Sequence, residues 1–187
     1  ELLKYIETAK SYSKVFLYLP TFREDDYEYF DKADIDFDKL SEELKKINGV
    51  FFIKLHPLTK FSKLNDYDNI IQISNDVDVH PFLIYTTHLV TDYSSIIFDY
   101  LMLDREMIFI PYDYDEYIKH RKFYFPYDDV TPGVKYFSFE DFINGLSDID
   151  GLDYSAERKV LKDKYYDECS FDASEKTYRF IKERYGL

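Results

Sequence analysis

The sequence predicts an α/β domain built on a doubly wound parallel sheet. Three observations carry that expectation. Short β-rich apolar runs alternate with helical patterns as far as residue 110, the signature of repeated strand-helix-strand units. The runs are continuously apolar and lack two-residue alternation, as strands covered on both faces do. The length, 187 residues of which 45% are hydrophobic, suits one compact domain with a complete core and falls short of two full-sized ones.

Taken in order, Val15 to Leu19 reads as the first strand and Phe37 to Ile47 as a helix, with Leu40, Leu44 and Ile47 on one stripe. Val50 to Leu55 and Asn69 to Ile73 follow as strands, then a helix over Val79 to Thr86, a strand over His88 to Thr91, a helix over Ser94 to Leu103 and a strand over Met107 to Ile110. Beyond Pro111, Tyr112 to Gly133 reads as an aromatic, acidic loop region. Within it Pro132-Gly133 marks a tight turn, because glycine tolerates positive φ. Helices near Phe139 to Leu146, Ala156 to Tyr166 and Ala173 to Tyr185 close the chain. With no internal repeat and no low-complexity linker, residues 1 to 187 read as a single domain.

Composition excludes several classes. Asp plus Glu number 37 against 24 Lys plus Arg, a net charge of -13, which argues against a sequence-independent nucleic-acid binder and requires any anionic ligand to find a local cationic pocket. The single cysteine, Cys169, excludes an intrachain disulfide and a CxxC metal site and fits a reducing cytoplasm. No stretch approaches the ~18 apolar residues that would span a bilayer, and Glu1-Leu2-Leu3-Lys4 is not the start of a signal peptide. Lacking an initiator Met, the chain reads as a segment of something longer. The 20 Tyr and 17 Phe, without a Trp, read as a bias of coding and not as chemistry.

Ligands of such sheets sit at the carboxyl ends of the strands, so polar residues just after each strand are the candidates. Leu19-Pro20-Thr21-Phe22-Arg23 places a guanidinium there, a fixed fork of donors for an anion. A surface arginine paired with Glu24, Asp25 or Asp26 is the other reading. Lys54-Leu55-His56-Pro57 ends the second strand with an imidazole able to donate to a phosphate or shuttle a proton; a histidine merely satisfied at a strand end would look the same. Thr91-Asp92-Tyr93-Ser94-Ser95-Ile96-Ile97-Phe98-Asp99 runs from strand into helix and gathers two hydroxyls with unpaired N–H groups where a phosphate could bind. Helix capping, with Asp92 as N-cap and Ser95 at N3, competes for the same residues. Asp99 shares a helix face with Ser95 and could accept from ribose hydroxyls. Lys119-His120-Arg121-Lys122 is a basic cluster in an acidic region, either an anion site or a solvated helix end. His80 and His88 receive no role.

Together these motifs resemble the CDP-glycerol glycerophosphotransferase family, the teichoic-acid polymerases and related capsule enzymes. The matching pieces are Pro20-Thr21-Phe22-Arg23, Lys54-Leu55-His56-Pro57, Thr91-Asp92-Tyr93-Ser94-Ser95 with Phe98-Asp99, Tyr112-Asp113 with Tyr117, Arg121 with Phe123-Tyr124-Phe125, Pro132-Gly133 and Asp172-Ala173-Ser174. The resemblance implies a GT-B arrangement of two Rossmann-like halves, this chain being similar to the C-terminal, donor-binding one. By it, His56 is the catalytic candidate and meets the donor diphosphate with Ser94 and Ser95. Arg23, Arg105 and Arg121 would be supporting cations, and Asp99 would face the nucleoside. Phe22 stands where the family commonly has Trp, and Lys122 where Gly usually follows the Arg, which touches the loop near the acceptor.

The implied reaction moves glycerol phosphate or ribitol phosphate from CDP-glycerol or CDP-ribitol to a hydroxyl of a polymer or lipid-linked acceptor, releasing CMP, with no metal and no cofactor. The implied partners are that acceptor and an N-terminal half carrying a base histidine, without which the chain is expected to bind donor weakly and turn nothing over. Lipid-linked acceptors imply a cytoplasmic protein peripheral to the inner face of the membrane. Two rival readings are a GT-B glycosyltransferase using a nucleotide sugar, and a non-catalytic module that binds nucleotide or a partner protein.

Overall fold

The apolar runs pair edge to edge. In the computed structural model, which describes all residues except 24–27, 60–63, 65, 167–171 and 187, β1 (Lys14–Leu19), β2 (Gly49–Ile53), β3 (Ile70–Gln72), β4 (His88–Thr91), β5 (Glu106–Phe109) and β6 (Val134–Lys135) form one sheet in the order β3-β2-β1-β4-β5-β6. Every pairing is parallel. The α/β doubly wound, Rossmann-like class is therefore the one the chain adopts. Glu24, Asp25 and Asp26, the other partners considered for Arg23, lie outside the described residues, as does Cys169.

The strands read as continuously apolar because both faces are covered. The pleat of β1 deals Phe16 and Tyr18 to one side and Val15, Leu17 and Leu19 to the other. On the first side Leu40 and Leu44 of α2 (Phe37–Lys46) and Phe139, Phe142 and Ile143 of α5 (Phe139–Gly145) close the core. Both helices begin at side-chain caps: the Asp36 carboxylate accepts from Lys39 N–H at 2.9 Å, and Ser138 Oγ accepts from Asp141 N–H at 3.0 Å. On the second side lie α1 (Leu2–Ala9), a 3₁₀ segment (His80–Tyr85), α3 (Ile96–Leu101) and α6 (Ser155–Tyr165).

Several boundaries move. The strand expected over Val50 to Leu55 stops at Ile53, although Lys54 N–H still donates to the Tyr18 carbonyl at 3.1 Å. The helix expected over Val79 to Thr86 is a 3₁₀ segment with Pro81 in its first turn. Within the region read as loop, Tyr114–His120 forms α4. None of its residues is fully buried, and the half-buried pair Tyr114 and Tyr117 is too short a stripe to betray it. α1 was not expected, although Leu2, Tyr5, Ile6 and Ala9 form an apolar stripe that packs on the core, and α7 (Ala173–Tyr185) falls where expected.

Gly133 is required for a different reason from the one its sequence suggested. Among the described residues Gly186 is the glycine with positive φ; Gly133 instead lies against β5, where an added Cβ would sit 2.1 Å from the Met107 carbonyl oxygen. A backbone neighbour cannot rotate away. Gly133→Ala should therefore lower stability by about 1–3 kcal/mol, the usual range for overpacking, read as a fall in the urea midpoint. An unchanged midpoint would show that the β5–β6 contact yields without cost.

The chain winds outward from β1 through β2 to β3, then returns to β4 on the other side of β1. The connections leaving the carboxyl ends of β1 and β4 thus run to opposite sides and leave a crevice between them.

Candidate functional site

At that crevice the segments after β1, β2 and β4 enclose a hollow of about 350 Å³, lined among others by Thr21, Phe22, Lys54, His56 and Ser94. Three motifs separated in sequence thus meet in space. A larger hollow of about 710 Å³ lies elsewhere, between Asp128 to Lys135 and α6, and takes in none of the candidate residues.

His56 is exposed, and its ring stacks on Phe22 with centroids 4.1 Å apart and planes 27° from parallel. Nδ1 accepts from Leu58 N–H at 3.2 Å. In the neutral imidazole that bond assigns the hydrogen to Nε2, making Nε2–H the donor of the ring. Phe22 thus fixes the plane of the ring that the Pro57 turn aims, a role its place in the motif did not disclose.

The β4–α3 junction is held by Asp92. This carboxylate is fully buried. Oδ1 accepts from Thr21 N–H at 2.8 Å, Thr21 Oγ1–H at 2.6 Å and Tyr93 N–H at 2.5 Å, while Oδ2 accepts from Arg23 Nη2 at 2.9 Å. The capping arrangement considered for Asp92 is not the one formed: the carboxylate ties the β1 segment to β4, and Ser95 occupies the N-cap position of α3 with no side-chain cap bond. Ser94 Oγ reaches Ile96 N–H only at 3.4 Å. Ser94 lines the hollow, whereas Ser95 is exposed and stands outside its lining. With six residues, α3 offers little dipole, so hydroxyl and N–H groups are what this junction presents.

Arg23 is built into the framework. It is 8% exposed; Nε and Nη2 donate to Asp113 at 2.9 and 3.0 Å, Nη2 donates to Asp92, and Nη1 donates to the Thr21 carbonyl at 2.5 Å. The rings of Tyr29, Tyr93 and Tyr117 surround it at 5.0, 5.1 and 4.8 Å. Burial works against the charge, but Asp92 and Asp113 outweigh it and hold the guanidinium more firmly protonated than usual. Its donors face inward, which departs from the expected role as a cation offered to a ligand.

Around it the aromatic residues act structurally. Tyr93 stacks on Tyr117 at 4.0 Å and donates to Asp113 at 2.9 Å, Tyr112 donates to the Tyr29 carbonyl at 2.7 Å, and Tyr127 donates to the Asp92 carbonyl at 2.8 Å. Burial first, and the Asp113 charge second, raise the Tyr93 hydroxyl well above its ordinary range and keep it a donor. Part of the aromatic excess, first read as a coding bias, is thus a scaffold under the site.

The remaining candidates are not gathered at the hollow. Arg105 immediately precedes β5, at the amino ends of the strands, and its Nη1 donates to the Ile84 carbonyl at 2.8 Å and to that of Thr86. It is at the wrong end of the sheet for the supporting role expected of it, because a residue just before a strand lies opposite the crevice. Arg121 ends α4 as its C-cap and is exposed; the preceding Lys119 and His120 pair with Glu116 at 2.7 and 3.1 Å. Asp99 is exposed on α3 with Oδ2 3.9 Å from His80 Nε2, away from the hollow's lining.

In sequence and in fold the chain is similar to known proteins. Residues 5–183 match the family model described as CDP-glycerol:poly(glycerophosphate) glycerophosphotransferase. The chain is 33% identical over 173 residues to the teichoic acid ribitol-phosphate polymerase TarL of Staphylococcus aureus (strain NCTC 8325 / PS 47), covering 89% of this chain and 30% of that protein. It is 35% identical over 167 residues to the teichoic acid poly(glycerol phosphate) polymerase of Staphylococcus epidermidis (strain ATCC 35984), covering 85% of this chain and 23% of that protein. Among solved structures it is similar to the wall teichoic acid polymerase TagF, with a TM-score of 0.75 and 28% identity over 98% of this chain and 49% of that one. A TagF variant soaked with CDPG matches at a TM-score of 0.72 and 29% identity, over 98% of this chain and 48% of that one. The chain therefore spans about half of the TagF structures and under a third of these two relatives. With the family model matched over nearly its whole length, the chain belongs to the CDP-glycerol:poly(glycerophosphate) glycerophosphotransferase family.

Proposed function

We propose that this chain is the donor-binding half of a transferase that moves a polyol phosphate from a CDP-linked donor to a hydroxyl of a teichoic-acid-like polymer. The observation that carries the reading is the coincidence of the family's motifs with one hollow at the switch point of the sheet, lined by His56 and Ser94. In the reaction the acceptor oxygen attacks the β-phosphorus, the bond from that phosphorus to the bridging oxygen breaks, CMP leaves, and the acceptor proton passes to a base on the other half of the enzyme.

For such a displacement the protein supplies position and charge stabilisation. His56 Nε2–H and the Ser94 hydroxyl donate to oxygens of the diphosphate; Ser95, Arg121 and Asp99, outside the lining of the hollow, would serve only a donor that extends beyond it. The polyol is glycerol or ribitol; the relatives named above include polymerases of both kinds. Among the described residues no helix is long and apolar enough to cross a membrane. The proposed placement, peripheral to the inner membrane face, rests on lipid-linked acceptors in the family.

Calorimetric titration with CDP-glycerol, CDP-ribitol, CMP and UDP-GlcNAc tests the reading. A CDP-polyol is expected to bind more tightly than UDP-GlcNAc; the reverse order would make the chain a glycosyltransferase half. Ser94→Ala should cost about 1.5–3 kcal/mol of CDP-polyol affinity, the worth of a hydrogen bond to a charged oxygen, with little change in stability. Ser95→Ala should cost less. Loss of stability with unchanged affinity would return Ser94 to a structural role.

A further inference from the structure

We propose that Lys54 supplies the positive charge of the donor-diphosphate site. The inference rests on the donor-binding reading above and assigns the cation that this reading lacks at the hollow. Of the arginines expected to serve, Arg23 is closed off by two carboxylates, Arg105 lies at the opposite end of the sheet, and Arg121 is outside the lining. The nearby framework sets one guanidinium against two carboxylates, so it cannot draw in an anion.

Lys54 differs from all three. It follows β2 directly, lies two residues from His56, and lines the same hollow as His56 and Ser94. Its Nζ donates to the Ser74 carbonyl at 2.6 Å, and among the described residues it forms no ion pair. A half-buried ammonium held by a neutral carbonyl has lost hydration without gaining a counter-charge. Burial accordingly pulls its pKa below the ordinary lysine value, with Asp76 and Asp78 pulling the other way from beyond ion-pair distance. Arrival of a diphosphate resolves that imbalance, and the flexible stem lets the ammonium swing toward either phosphate.

The test compares the wild-type chain with Lys54→Met and Lys54→Arg by titration against CDP-glycerol, cytidine and inorganic pyrophosphate, with far-UV circular dichroism and thermal melts as the check of folding. Lys54→Met should weaken CDP-glycerol and pyrophosphate by roughly tenfold to a hundredfold, leave cytidine unchanged and keep the thermal transition. Lys54→Arg should recover most of the anion binding. CDP-glycerol binding by wild type and by folded Lys54→Met with equal affinity overturns the role of Lys54 and leaves the donor reading standing. Lys54-dependent binding of pyrophosphate without any binding of CDP-glycerol does the reverse. An equal loss for cytidine and CDP-glycerol makes Lys54 a structural residue and also rejects the proposal.

Discussion

Replacing Arg23 by Met should cost the chain about 3–5 kcal/mol of stability, the penalty for breaking a buried ion pair by removing one partner. The pair matters because of what stays behind. Asp92 is fully buried and would keep its bonds from Thr21 and Tyr93 while losing the guanidinium, and Asp113 would lose a two-donor clamp. Against a typical total of 5–15 kcal/mol for a domain, such a loss takes a large share. Urea denaturation followed by far-UV circular dichroism reads it, since the chain has no Trp to report. Arg23→Lys should fall between wild type and Arg23→Met, because an ammonium restores charge but cannot span both carboxylates with a planar fork. Asp92→Asn combined with Arg23→Met should cost less than the two separate losses added together, as coupled partners do. A loss below about 1 kcal/mol for Arg23→Met, the level of an exposed pair, would remove Arg23 from the framework and restore it as a candidate for the ligand.

The second large effect is a pH dependence set by His88. This residue is 5% exposed, stacks on Phe16 with centroids 4.7 Å apart, and shares a 2.8 Å hydrogen bond between Nδ1 and Thr87 Oγ1. Burial, reinforced by the Lys14 charge and opposed by Asp150, lowers its pKa to about 4. The unfolded chain then binds a proton near pH 6.5 that the folded chain refuses until about pH 4. Stability is therefore complete above pH 6.5, declines as the pH falls toward 4, and levels off for this group below that. At 1.36 kcal/mol per pH unit the full change is roughly 3 kcal/mol. His88→Gln should flatten the profile between those limits. Asp78, Glu116 and Asp153 have lowered pKa values on the exposed surface, so their titration falls at the acid end of the window. An unaltered slope between pH 6.5 and 4 in His88→Gln would rule out this assignment.

The amino-acid pattern by itself determined that the sheet is parallel and covered on both faces, because continuous apolar runs such as Phe51-Phe52-Ile53 have no polar face to give to water. It also determined which polar motifs meet at the carboxyl ends of the strands, since they stood just after the runs that became β1, β2 and β4. It was silent on α4, whose half-buried Tyr114 and Tyr117 make too short a stripe to stand out in an aromatic segment. It could not separate the candidates from one another. Arg23 and Arg105 read alike as cations near strands, yet one is locked between carboxylates 69 and 90 residues further along the chain and the other is tied to carbonyls at the far end of the sheet. Asp92 read as a helix cap until Thr21, 71 residues away, arrived with two better donors. Lys54 stood unassigned within its own motif until the charges around it had found partners. Apolar periodicity is a local property and survives in the sequence, whereas the direction of a side chain and the balance of its charge depend on neighbours that only the folded sheet brings within hydrogen-bond reach.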